Sequence, residues 1–175
     1  DLIMREAAAA VAAEASCIAV YDPLDSLLHI EFASGEADEG VMHLSLAAGQ
    51  GILGTVAITG RALKVDDVGR DPRFDPSIDR RTGFTTKSIV AAPILWKDEL
   101  LAVLEVINKR DGASFTEEDT LMLEVVANQA AVAIENARLF ERIVHSKQLS
   151  VIGRLAASII RDLKQSMTVI RAITE

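Results

Sequence analysis

The 175-residue chain is long enough for one globular domain and an appendage, and its half-apolar, quarter-charged composition is that of a folded protein. A formal charge of −8 without a basic stripe argues against a nucleic-acid partner, and no apolar run approaches the ~20 residues that span a bilayer. Cys17 is alone, which excludes a disulfide framework within one chain and fits a reducing cytoplasm.

The chain begins at Asp1 without an initiator Met and reads as a piece of a longer protein; its Ala-rich start, with acids on both flanks, does not read as a signal peptide. Leu2 to about Ala13 favours helix. "SCIAVYD" follows as a β-branched strand stopped by Asp22-Pro23. "LLHIEFA" alternates, with Leu28, Ile30 and Phe32 opposed to His29 and Glu31. "VMHLSL" does the same, with Met42, Leu44 and Leu46 opposed to His43 and Ser45. With "SGEADEG" between them, the two predict a hairpin that sets His29 and His43 on one face.

"GQGILGTVAITGR" predicts a short helix between glycine turns, and "ALKVDD" a strand. "GRDPRFDPSIDRRTG" is a long polar loop with one helical turn, a length that in compact domains goes with function. "KSIVAAPILW" and "ELLAVLEVIN" are apolar strands joined by "KDE". The order predicts an α+β domain around one antiparallel sheet.

From Phe115 the sequence holds no Pro and one Gly, Gly153. Thr116 followed by Glu117, Glu118 and Asp119 is a capping hydroxyl with acids in the first turn. Helical throughout, roughly 60 residues would reach about 90 Å. Leu149, Ile152, Ala156, Ile159, Leu163, Ser166, Ile170 and Ile173 alternate by three and four, the seam of a parallel coiled-coil dimer or helix bundle. Extended backwards the seam meets Arg142 and His145, so the register slips between Ile143 and Leu149. The acidity belongs to residues 1–115, with 18 acids and 11 bases; residues 116–175 hold 8 and 7.

Three segments, "GILGTVAITGRALKVDDVGRDPRFDPSIDRRTGFTTKSIVAAPIL", "ELLAVLEVINK" and "FTEEDTLMLEVVANQAAVAIENARLF", resemble the GAF family of small-molecule sensor domains, over about residues 2–140. The resemblance implies a six-stranded antiparallel sheet with helices on one side and a ligand pocket on the other, and dimers through terminal helices. Cyclic-nucleotide-binding members carry Asn-Lys, a spaced Phe, and Asp-Glu; Asn108, Lys109, Phe115 and Asp119 match, with Thr120 in place of the Glu. A Lys109–Asp119 pair would clamp the long helix to the sheet, a structural role that needs no ligand.

For a nucleotide, Phe74 is placed to stack a base, Thr85, Thr86 and Ser88 to donate hydrogen bonds, and Arg73, Arg80 or Arg81 to meet phosphate. The alternative has Phe74 and Phe84 pinning the loop, with the arginines solvated beside Asp71, Asp75 and Asp79. A bilin would need a placed Cys, and Cys17 reads as core; haem would need an axial ligand, and His29 with His43 lack a third metal ligand. No metal site is expected, and the ligand's identity stays open.

Residues 153–157, Arg161-Asp162, Ser166 and 168–170 resemble the first dimerisation and phosphotransfer helix of sensor histidine kinases. Arg161 stands where that pattern has its phospho-acceptor His, and a guanidinium has no lone pair to attack phosphate. Ser166 stands in place of the Pro, and His145 lies too far upstream to substitute. The resulting division is a sensor domain over 1–140, a signalling-helix linker over 141–150 and a degenerate dimerisation helix over 151–175. Three readings follow: a cytoplasmic, non-enzymatic ligand-sensing module of a two-component-like protein, acting on a downstream signalling domain or response regulator; a fragment of a histidine kinase that has lost its His; or a dimerisation scaffold with a vestigial pocket.

Overall fold

The computed structural model describes residues 2–35 and 38–140. Helix α1 (Leu2–Ala10) leads into β1 (Ala13–Asp22) and β2 (Leu27–Ser34). One helical turn, α2 (Asp38–Val41), precedes the short β3 (Ser45–Ala47). Helix α3 (Gly51–Thr59), β4 (Leu63–Val65), a 3-10 turn (Val68–Arg70) and α4 (Ser77–Thr82) follow, then the long strands β5 (Ile89–Trp96) and β6 (Glu99–Lys109). Helix α5 covers residues 117–140. The predicted coiled-coil seam, Leu149, Ile152, Ala156, Ile159, Leu163, Ile170 and Ile173, lies outside the described residues, as does Arg161. No helix among the described residues is long and apolar enough to cross a membrane.

The six strands form one antiparallel sheet in the order β3-β2-β1-β6-β5-β4, the expected fold class. Its centre is β1 beside β6, and both read as near-continuous apolar runs because both faces are covered. On one face Ser16 donates its hydroxyl to the Met4 carbonyl of α1 (3.3 Å). Side chains alternate along a strand, so Cys17 turns to the other face, where Ala19, Ile30, Ala91 and Val103 pack with Ile52, Leu53 and Val56 of α3. Across the central strands Cys17, Glu105 and Ala91 stand in one row. At the end of the ladder Ala13 faces Lys109, and Arg110 bonds the Ala12 and Ala13 carbonyls through its N–H and its Nε (2.8 and 2.9 Å).

Helix α5 begins as its sequence predicts. Thr116 Oγ1 accepts the Asp119 N–H (3.1 Å) while Asp119 Oδ2 accepts the Thr116 N–H (2.7 Å), a reciprocal cap. Leu123, Ala127, Ala130 and Ala131 then bury one stripe of the helix.

Only the end of the predicted strand over 41–46 forms, pairing with β2 as the expected hairpin, Leu28 opposite Leu46 and His29 opposite Ser45. Asp38 to Val41 turn helically, His43 takes a left-handed φ of 64°, and β3 starts only at Ser45. Gly40 allows this: a Cβ there would come within 2.5 Å of Thr82 Cγ2 on α4. Leu44 and Leu46 still turn inward, so the apolar alternation marks a lining and only in part a strand.

Helix α3 seats on backbone. A Cβ at Gly54 would lie 2.7 Å from the Ala47 carbonyl oxygen and 2.8 Å from the Gly49 nitrogen, which itself donates to the Gly54 carbonyl. Gly54→Ala is therefore expected to destabilise the domain by about 1–2 kcal/mol, overpacking outweighing the gain in helix propensity. An unchanged urea midpoint would show that the turn yields freely.

Candidate ligand-binding site

Between the apolar sheet face and helices α2 to α4 lies a cavity of about 370 Å³, within the roughly 300–1,000 Å³ range of small-molecule sites. Cys17, Ile30, Ile89, Glu105 and Ile107 of the strands line it, with Leu44 and Leu46. Gln50 to Leu53 bring in the first turn of α3, and Phe74, Asp75, Ile78, Asp79, Arg81, Phe84 and Thr86 surround the rest from α4 and its flanks. The Gln50 side chain makes no capping bond to α3 but accepts from the Ala47 N–H (3.4 Å). The first-turn N–H groups of α3 thus have no intrahelical or capping acceptor and carry the positive end of the helix dipole.

α4 is tied down by two of its side chains. Arg81 donates to the Gly40 carbonyl (2.6 Å), joining α4 to α2. Asp79 accepts both the Thr86 N–H (2.7 Å) and the Thr86 hydroxyl (2.8 Å), closing the loop after the helix.

The expected ligand-binding residues separate. Phe74 and Thr86 line the cavity; Arg73, Thr85 and Ser88 do not. Arg73 is engaged by Asp71, Nε to Oδ1 at 2.8 Å, a pairing that holds the Asp71 carboxyl down at about 2. Its guanidinium is not free to meet phosphate in the cavity, whereas Arg81 and Phe84, weighed beside it in the sequence, are lining residues. Thr85 is exposed and gives its carbonyl to Asn108, and Ser88 is buried beside that same side chain.

Asn108 is a buried hub. Its Oδ1 accepts the N–H groups of Lys87 (2.7 Å) and Ser88 (3.3 Å), and its Nδ2 donates to Glu14 Oε2 (2.8 Å) and the Thr85 carbonyl (2.9 Å). Next to it, Lys109 Nζ meets Asp119 Oδ2 at 2.6 Å, with both side chains mostly buried, and Phe115 is fully enclosed. Burial works to raise the Asp119 carboxyl, but the Lys109 ammonium and the Thr116 donors outweigh it and leave the acid below its usual range. These four residues hold β6, α5 and the loop after α4 together; none of them lines the cavity.

Sequence reasoning passed over Glu105. It is 7% exposed, and among the described residues its one hydrogen bond comes from the Cys17 thiol, Sγ to Oε2 at 3.3 Å. Burial lifts its carboxyl to about 7; the thiol's bond opposes the rise and the charge of Asp79 reinforces it. Burial, then the neighbouring carboxylate, pushes the Cys17 thiol well up, so Cys17 is a core thiol rather than a nucleophile. The available signal was an acid inside "LLAVLEVIN", a strand otherwise fit for complete burial.

His29 bonds Ser45 and Asp25. Its Nδ1 lies 2.9 Å from Ser45 Oγ and its Nε2 3.3 Å from Asp25 Oδ2, while His43 sits in the turn before β3. Asp22, Asp25 and His29 bring ligand atoms within 4.8 Å of one another, the one such group among the described residues, and it is not part of the cavity.

Comparison with known proteins agrees with this architecture. A family model described as GAF domain matches residues 1–134. A curated relative, the "Probable 3',5'-cyclic phosphodiesterase pde-5" of Caenorhabditis elegans, is 36% identical over 110 residues, which are 63% of this chain and 15% of that protein. The chain therefore spans a small part of that relative. The GAF domain of a phosphoenolpyruvate-protein phosphotransferase from Coxiella burnetii superposes with a TM-score of 0.71 at 20% identity, over 81% of this chain and 83% of that one. Residues 122 to 287 of a methyl-accepting chemotaxis protein give a TM-score of 0.68 at 25% identity, over 79% and 88%. With the family matched across the whole sheet and its cavity, the chain belongs to the GAF domain family, a regulatory and sensory module.

Proposed function

We propose that the domain senses a cyclic nucleotide in the cavity between the sheet and α2–α4. The observation that carries this reading is the make-up of the lining. The first-turn N–H groups of α3, without an intrahelical or capping acceptor among the described residues, and the Arg81 guanidinium are suited to a phosphate. Phe74 and Phe84 offer aromatic faces for a base, and the sheet contributes Ile30, Ile89 and Ile107 around the single carboxyl of Glu105. Likeness to a relative named as a 3',5'-cyclic phosphodiesterase supports the same ligand class.

Ligand state would pass through β6 and the Lys109–Asp119 pair into α5. Leu121, Val125 and Val132, exposed and spaced by four and seven, continue the idea of a parallel homodimer seam. Arg161 in place of the phospho-acceptor His favours a transmitter in a two-component-like, cytoplasmic protein over a phosphate carrier, with a downstream signalling domain or response regulator as partner.

Titration calorimetry of the chain with cyclic AMP and cyclic GMP tests the reading, with light scattering on the same samples reporting the dimer. At least one nucleotide is expected to bind, and Phe74→Ala to weaken it by about tenfold, the worth of one stacked base. Absence of heat with both at millimolar ligand would overturn the nucleotide assignment, and a monomeric mass would overturn the seam.

A further inference from the structure

Among the strand residues that line the cavity, Glu105 is the one with an ionisable carboxyl, and it is placed at the centre of the sheet in the row Cys17–Glu105–Ala91. A desolvated carboxylate needs hydrogen-bond donors, and a thiol is a weak one. Oε2 receives that thiol; Oε1 receives no donor from the described residues and is not sealed off, so it opens to the cavity that Glu105 lines. A ligand that fills the cavity therefore meets an acid short of donors.

The bases of cyclic nucleotides differ in what they offer such a group. Guanine presents two neighbouring donors, N1–H and the N2 amino group, which match the two oxygens of a carboxylate. Adenine presents one donor, the N6 amino group, beside an acceptor, N1, which an ionised carboxylate repels. Resting on the cyclic-nucleotide reading above, we infer that Glu105 sets the base selectivity of the cavity, its carboxylate taking the paired N–H donors of guanine and turning adenine away.

The assignment carries a pH dependence. A protonated Glu105 has one donor and one acceptor, the complement of the adenine edge. The charged and titratable groups around it are Cys17 on β1, Asp79 and Arg81 on α4, and Asp75 just before α4; Ala91 on β5 is neutral, and α3 carries no titratable side chain. Burial, with the negative charge of Asp79, places the Glu105 transition at about 7, so the preference for guanine should narrow as pH falls through neutrality.

The test is calorimetric titration of the full 175-residue chain and its Glu105→Gln variant with cyclic GMP and cyclic AMP at about pH 8.5 and pH 6. At the higher pH the native chain is expected to bind cyclic GMP at least about tenfold more tightly than cyclic AMP, with the gap falling severalfold at the lower pH. Glutamine, a fixed donor beside an acceptor, is expected to remove the pH dependence and move the preference toward cyclic AMP. Undiminished selectivity for cyclic GMP in Glu105→Gln, equal affinities at pH 8.5, or a native preference for cyclic AMP there would each overturn the assignment while leaving nucleotide sensing intact. Binding of neither nucleotide would remove both. Should the variant not fold, the pH series on the native chain decides alone.

Discussion

Replacing Asn108 with alanine is expected to destabilise the domain by about 3 kcal/mol, the largest loss from any single side chain in the cavity's support. The 3%-exposed amide makes four hydrogen bonds, and truncation leaves the N–H groups of Lys87 and Ser88 and the carbonyl of Thr85 without their partner. Each buried group left unpaired costs about 1–3 kcal/mol, with incomplete additivity because water can enter. Asn108 also holds a φ of 52°, a left-handed conformation that asparagine tolerates better than alanine, worth about a further 1 kcal/mol. Asn108→Gly separates the two contributions: it loses the same bonds without the backbone strain, and its urea midpoint should fall between those of the native protein and Asn108→Ala. Ligand affinity should drop with both, because Phe84 and Thr86 reach the cavity from the loop that Asn108 anchors. Equal stability of Asn108→Ala and the native chain would show that the hub contributes little.

Glu105→Gln should act in the opposite direction and raise stability at alkaline pH. In the unfolded chain the carboxyl titrates near its ordinary 4.5; in the folded protein it titrates at about 7. Below the lower value both states are protonated and nothing is gained or lost. Between the two the unfolded chain ionises while the folded one keeps its proton, so stability falls as pH rises, and above about 7 the loss is complete. The gap amounts to a cost on the order of 3 kcal/mol at pH 8. Denaturation of both proteins at pH 4.5 and pH 8 checks this: the variant's advantage should appear at pH 8 and nearly vanish at pH 4.5. An advantage equal at both pH values would mean that Glu105 ionises as freely as in the unfolded chain. A buried acid kept at such a cost belongs with groups retained for function rather than stability.

The sheet was legible because its strands alternate or run apolar, and α5 because a hydroxyl and an acid three residues apart satisfy its first N–H groups. The clamp was legible for a similar reason: Lys109 ends a strand ten residues before Asp119 begins a helix, so short chain connectivity brings them together. Cys17 and Glu105 are 88 residues apart, and only the pairing of β1 with β6 puts them in one row. No local pattern announces that. Thr85 and Thr86 show the resolution limit of a sequence reading, since adjacent residues in extended chain point to opposite sides and a single step of register decides which one reaches the cavity. Arg73 follows the alternative that the loop's charge pattern also held, since Asp71 two residues earlier engages it. The residues over 41–46 kept their inward leucines and joined the sheet at Ser45 and Leu46, while the start of the predicted strand gave way to a helical turn that Gly40 allows against Thr82.

Ala13 opposite Lys109 means that the chain passes into the sheet and out of it through one doorway, a single strand spacing wide, about 4.8 Å. Everything between those two residues is a closed excursion whose ends almost touch. A module built this way can hang from a pair of neighbouring helices like a pendant, and splicing it in or out leaves the spacing of the two stems nearly as it was.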